Sequence, residues 1–191
     1  MESTPLLYRT LVSVLNCHTN WLDLRHVKTL GWMMTGLILS REIGLGAWAL
    51  YVHSRAHYVA STIRRFRRFL DNDRIDVPRL YAPLLHQALQ GWDRGTIYVA
   101  LDTSMLWNTY CIVRLSLIYR GRAIPLVWRV LEHGSATIAY QDYHTLLDQA
   151  AQVLFPFHCK SVFLADRGFA DTQLMGHLQS LGWRFRSRIK D

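Results

Sequence analysis

Apolar positions along the chain change their spacing once, near residue 95. Before that point they recur at three- and four-residue intervals. Leu30, Met33, Met34, Leu37 and Ile38 follow this rhythm, as one face of a helix requires. The same spacing predicts a second helix through Trp48 to Tyr58 and a third from about Ser61 to Leu70. In the third, Ile63, Phe66, Phe69 and Leu70 form an apolar stripe, and Arg64, Arg65, Arg67 and Arg68 take the remaining surface. Asp71-Asn72-Asp73 ends it, Pro78 and Pro83 punctuate the next segment, and Gln90 to Gly95 reads as a linker.

Beyond Gly95 the period drops to two. Thr96 to Thr103 is a short apolar run that suits a central strand. Cys111, Val113, Leu115, Leu117 and Tyr119 alternate with Ile112, Arg114, Ser116 and Ile118, which predicts a second strand. Arg120-Gly121-Arg122 turns the chain into a third, Ala123 to Leu131, broken by Glu132-His133-Gly134-Ser135. Tyr143, Leu146, Leu147, Ala150, Ala151 and Leu154 then mark an amphipathic helix closed by Pro156. Ser161 to Ala165 is a fourth strand that runs into Asp166-Arg167-Gly168. Asp171 is placed to cap a helix through Leu174, Met175, Leu178 and Leu181 that stops at Gly182. Trp183, Phe185, Ser187 and Ile189 finally alternate with Arg184, Arg186, Arg188 and Lys190 in a fifth strand.

The expected architecture is therefore α/β: a helical module over residues 1–90, then a mixed sheet over residues 91–191 in the order β-β-β-α-β-α-β. In a ribonuclease H-like arrangement of that order, the fourth strand crosses back to lie parallel beside the first. Asp102, near the end of the first strand, then neighbours Asp166, at the end of the fourth. Strands lie about 4.8 Å apart, so two carboxylates so placed can share a pair of metal ions spaced about 3.5–4 Å. Aspartate oxygens suit Mg²⁺. The competing interpretation makes each aspartate an ordinary turn former or helix cap.

Charge adds a partner to this picture. The net charge is +8, from 22 Lys and Arg against 14 Asp and Glu, and nineteen of the 22 are arginine. Arginine pairs with phosphate bidentately, so the excess favours a polyanion such as double-stranded DNA. Two arginine groups are candidates for that contact. One is the helix cluster Arg64, Arg65, Arg67 and Arg68, for which the alternative is a solvated helix face. The other is Arg184, Arg186, Arg188 and Lys190, which period two puts on one side of the last strand, where positive charge also protects a sheet edge. Cys17, Cys111 and Cys159 form no disulfide framework or zinc pattern, which suits a reducing compartment. The apolar stretch from Leu30 to Val52 is interrupted by Arg41 and Glu42, so no membrane span is expected. His53 and His57 share a helical spacing without a third ligand nearby, and Glu132 is a weak substitute for a third carboxylate.

Several segments carry a family likeness. Tyr98-Val99-Ala100-Leu101-Asp102-Thr103-Ser104, the run from Tyr119 to Leu126, Leu164-Ala165-Asp166-Arg167-Gly168-Phe169 and the tail from Gly182 to Lys190 resemble transposases of the insertion sequence 4 family. The likeness covers roughly residues 90–191, and the front part, including Phe69-Leu70-Asp71-Asn72, looks similar too. It implies a DDE enzyme with a ribonuclease H-like catalytic domain that binds element ends, works as a dimer, and uses Mg²⁺ or Mn²⁺ to cut and join DNA. On that basis Asp102 is the first acid and Asp166 the second. The family's third acid is a Glu in a Tyr-two residues-Arg-three residues-Glu-six residues-Lys signature, and no Glu follows Glu132 here. The chain thus reads as the N-terminal part of a transposase, truncated, with an incomplete two-metal site and inactive alone. It would work in the bacterial cytoplasm at the nucleoid. A non-catalytic DNA-binding fragment that interferes with full-length transposase, and a metal-dependent nuclease on the same fold, are the alternatives.

Overall fold

A computed structural model describes residues 3–18, 21, 23–53, 58–92, 95–169 and 171–187. The chain divides into two compact units, Met1–Ala88 and Leu89–Asp191. Helices fill the first unit, and a five-stranded mixed sheet with two helices forms the second.

In the first unit, α1 (Ser3–His18), α2 (Leu24–Ser40), α3 (Leu45–Ala49), α4 (Val59–Leu70) and α5 (Val77–Ala88) follow one another. The core holds Trp32, Met33, Ala49, Phe66 and Phe69, and Tyr8 stacks on Trp32 with ring centroids 3.8 Å apart. Asp23 caps α2: its carboxylate accepts the Arg25 backbone N–H at 2.8 Å and also pairs with the Arg25 guanidinium. These contacts pull the Asp23 carboxyl down to about 2. Gly36 sits where α2 meets α3, against the backbone of Trp48.

Two sequence expectations need correction in this unit. The helix anticipated over Trp48 to Tyr58 ends at Ala49 and continues as tight turns, in which Tyr51 N–H bonds to Trp48 and Val52 N–H to Ala49. Aromatic and β-branched residues at 51 and 52 are poor helix formers, and residues 54–57 lie outside those described. Conversely, Pro78 and Pro83 do not exclude a helix. Pro78 falls in the first turn of α5, where no backbone donor is needed, and the Asp76 carboxylate caps that turn through Arg79 N–H at 3.0 Å.

In the second unit, β1 (Thr96–Leu106), β2 (Tyr110–Tyr119), β3 (Arg122–Glu132), α6 (Tyr140–Leu154), β4 (Lys160–Ala165), α7 (Thr172–Ser180) and β5 (Arg184–Ser187) run in the anticipated order. The spatial order is β3-β2-β1-β4-β5. The first three strands are antiparallel neighbours, and β4 and β5 run parallel to β1. The β2–β3 turn places Arg120 and Gly121 at φ of 49° and 74°, the doubly left-handed turn whose twist matches a tight hairpin. The β1–β2 turn is built on Trp107 and Asn108, at φ of 53° and 55°.

The two sheet faces differ in character. Ile97, Val99 and Leu101 of β1, Val113 and Leu115 of β2, and Phe163 of β4 are buried on one face. Both helices of this unit pack there. Arg129, paired with Val113, donates to the Asp142 carbonyl and to Thr145 Oγ1 of α6, while Phe163 and Phe185 line a small cavity together with Leu174 and Leu178 of α7. Tyr140 O–H and His177 Nδ1 are 2.7 Å apart, and His177 Nε2 lies 2.8 Å from Asp148, so a polar link joins α6 to α7. The opposite face carries Tyr98, Asp102 and Ser104 of β1 and Arg114 of β2, all at least partly accessible.

Candidate carboxylate site

Asp102 lies within β1 rather than near its end, because the hairpin with β2 continues to Leu106 and Tyr110. The β1–β4 ladder stops earlier, at Ala100 and Leu164. Asp102 is therefore hydrogen-bonded into the sheet on its β2 side, just past the point where β4 ends.

Asp102 and Asp166 each lie two residues beyond the last pair of that ladder, at the same end of the two neighbouring strands, with Asp166 just after β4. Two residues along a strand return to the same face, so Asp102 shares the face of Ala100, opposite α6 and α7. Asp166 is exposed, and the tight turn after it is held from below. The Phe169 N–H bonds back to the Asp166 carbonyl at 3.0 Å, and the Phe169 ring meets Tyr143 of α6 edge-on at 5.9 Å. Tyr143 is buried, which pushes its phenol up to about 12. An uncharged, fully packed ring thus supports the turn that carries Asp166.

Asp102 has a close partner that the sequence pattern did not single out. Arg114 is its directly opposite residue on β2, and Arg114 Nη2 donates to Asp102 Oδ2 at 2.6 Å. The signal for this pair was present in the turn. A hairpin centred on Asn108 makes residues whose numbers are equidistant from 108 face each other, and 102 and 114 are such a pair.

Two aspartates offer hard, anionic oxygens, so the donor set fits a divalent ion such as Mg²⁺ in kind. No third donor joins them: among the described residues no group of three His, Cys, Asp or Glu side chains could hold one ion. Glu132 does not fill the gap. It pairs with Tyr110 at the far end of the hairpin, four residues along from the row of Asp102, Arg114 and Trp128. At roughly 3.3 Å per residue that is about 13 Å away along the strands. His53 is exposed and stacks beside Trp32 at 6.0 Å between ring centroids, and His57 lies outside the described residues.

The helix arginines separate into two kinds. Arg64, Arg67 and Arg68 are exposed and share one face of α4 at i, i+3 and i+4. Arg65 turns inward. Its Nε and Nη2 are buried without a hydrogen-bond partner, and its guanidinium lies 5.9 Å from the Phe66 ring centroid. Reading four arginines as one basic surface missed this because Arg65 lies 100° from its neighbours and toward the apolar stripe. On β5, Arg184 and Arg186 are exposed and in register with Val162 and Leu164, hence on the same face as Asp102. Arg188 and Lys190 lie outside the described residues.

None of the described helices is long and apolar enough to cross a membrane. No protein-family model matches the chain, and no curated protein matches it at a significant level.

Proposed function

We propose that the chain binds double-stranded DNA and belongs to the DDE transposase type, with a ribonuclease H-like second unit. The observation that supports this reading is the parallel pairing of β1 with β4, which brings Asp102, two residues past the last paired residue of β1, and Asp166, just after β4, to the same end of the two strands. The order β3-β2-β1-β4-β5, with three antiparallel strands followed by two parallel ones, agrees with that fold. Asp102 and Asp166 would hold Mg²⁺ or Mn²⁺, which when bound activates an attacking oxygen and stabilises a leaving one in phosphoryl transfer. Arg184 and Arg186, on the same face, would meet backbone phosphates, and Arg64, Arg67 and Arg68 would add phosphate contacts from α4. Under this reading the protein works on DNA in the bacterial cytoplasm, with a second copy or a full-length transposase as partner.

A site of Asp102 and Asp166 without a third acid is expected to cleave several orders of magnitude more slowly than a complete one. The ion pair between Asp102 and Arg114 favours the second reading, a DNA-binding protein with no turnover of its own. A nuclease on the same fold would use the same pair for hydrolysis.

Fluorescence anisotropy with linear duplex DNA across a salt series tests the binding, and strand cleavage in Mg²⁺ and in Mn²⁺ tests the chemistry. Salt-steep binding with nicking or joining that disappears in Asp102→Asn and Asp166→Asn supports the transposase reading. Salt-steep binding without cleavage supports the binding protein. Absence of duplex binding even at low salt would sink both.

A further inference from the structure

Arg114 is the feature that neither the charge pattern nor the family likeness explains. It lies on the solvent-facing side of β2, directly across the sheet from Asp102, and its guanidinium already bonds the carboxylate that a metal ion would use. A carboxylate oxygen in a 2.6 Å charge-assisted bond is committed to that donor. A divalent ion can approach the same oxygen only by displacing the guanidinium or by binding beside a positive charge. Both side chains remain partly accessible, 38% for Arg114 and 55% for Asp102, so the pair is screened by water and can open. The strand keeps the arginine near even when it opens, because the cross-strand register is fixed by the hairpin.

We propose that Arg114 is a built-in counter-ion for Asp102, exchanged for a divalent cation when the site loads. This rests on the reading of Asp102 and Asp166 as metal-holding acids. In the unloaded protein Arg114 neutralises Asp102 and so relieves the repulsion between two neighbouring carboxylates. On loading, the ion takes over that role, and the guanidinium is released on the same face as Arg184 and Arg186. Arg114 is thus a positioning residue, and it sets a threshold concentration below which the site stays closed to metal.

The test is Mn²⁺ binding by the full chain, followed through the electron spin resonance signal of free Mn²⁺, for the wild type and for Arg114→Gln, Asp102→Asn and the double variant. Removing a competing positive charge at contact distance should tighten Mn²⁺ binding about tenfold in Arg114→Gln. Asp102→Asn and the double variant should lose the site. Equal affinity in the wild type and Arg114→Gln, with loss in Asp102→Asn, overturns the counter-ion proposal while leaving the acids as metal holders. No Mn²⁺ binding by either protein overturns both. A second measurement uses the wild-type fold alone. The side-chain resonance of Arg114 in ¹⁵N-arginine-labelled protein, assigned by its loss in Arg114→Lys, should shift as Mg²⁺ is added. A resonance that stays fixed at Mg²⁺ levels that saturate the site overturns the exchange.

Discussion

Substituting alanine for glycine at two helical positions should have opposite effects, and the structure fixes each sign. Gly36 lies inside α2, where a methyl group would sit 2.5 Å from Trp48 Cβ, 2.6 Å from its Cα and 2.7 Å from its carbonyl oxygen. Two of these three neighbours are backbone atoms, so no side-chain rotation relieves the clash. Alanine gains about 1 kcal/mol over glycine from helix propensity alone. Against this, separating α3 from α2 by most of an ångström in a packed core is overpacking, which typically costs about 1–3 kcal/mol and more where backbone must move. Gly36→Ala should therefore be destabilising by about 1–2 kcal/mol net. Gly176 is also inside a helix, α7, but is exposed with nothing within 4 Å of its would-be methyl group. Only the propensity gain remains, so Gly176→Ala should stabilise its unit by about 0.5–1 kcal/mol. Urea unfolding followed by circular dichroism and tryptophan fluorescence compares the two with the wild type. If Gly36→Ala matches or exceeds wild-type stability, the close approach of α2 to Trp48 is wrong.

Single contacts elsewhere have equally definite outcomes. Asp23→Ala should lower the melting temperature at neutral pH through loss of the α2 cap. Because the Asp23 carboxyl is depressed to about 2 in the folded state, its contribution is present above an ordinary carboxylate value of 3.8 and disappears as pH falls toward 2, so variant and wild type should converge there in a melting series. Tyr143 has the opposite sign: a phenol raised from 10 to about 12 favours folding below pH 10 and loses that contribution as pH rises through 12. In a phenolate absorbance titration, its ionisation should coincide with unfolding, and Tyr143→Phe should shift alkaline unfolding to higher pH. Arg129→Met removes two bonds from β3 to α6 and should destabilise the second unit by about 1–2 kcal/mol in denaturant unfolding; no measurable change would discount that link. If α4 binds DNA, replacing Arg64, Arg67 and Arg68 by alanine should flatten the salt dependence of binding by about one unit for each phosphate no longer neutralised, whereas an unchanged slope would leave them a solvated face.

Much of the second unit was legible because strands and helices there are short and strictly periodic. The alternation from Cys111 to Tyr119, the glycine turn at residue 121 and the stripe from Tyr143 to Leu154 each specify one element and one buried face. The first unit was less legible. Apolar spacing alone carried the helix reading past Val52, where propensity and local turns ended it, and two prolines hid α5, one of which, Pro78, sits in the first turn, where no backbone donor is needed. The candidate acids were chosen from strand order. Their setting was not: the ion pair of Asp102 with Arg114 depends on hairpin register, and the inward turn of Arg65 depends on packing that no charge count records.

The β1–β2 turn governs chemistry at a distance. Which side chain faces Asp102 from further along the chain is chosen by the length of a loop, not by any residue touching either partner. Adding one residue between Leu106 and Tyr110, unless absorbed as a bulge, would carry Arg114 to the helix-packed side and bring a buried apolar residue opposite the acid. Deletions and insertions around Trp107 and Asn108 are therefore as decisive for the chemistry of this face as substitutions within it. Among distant relatives of the chain, loop length here would sort those able to form the ion pair from those that cannot.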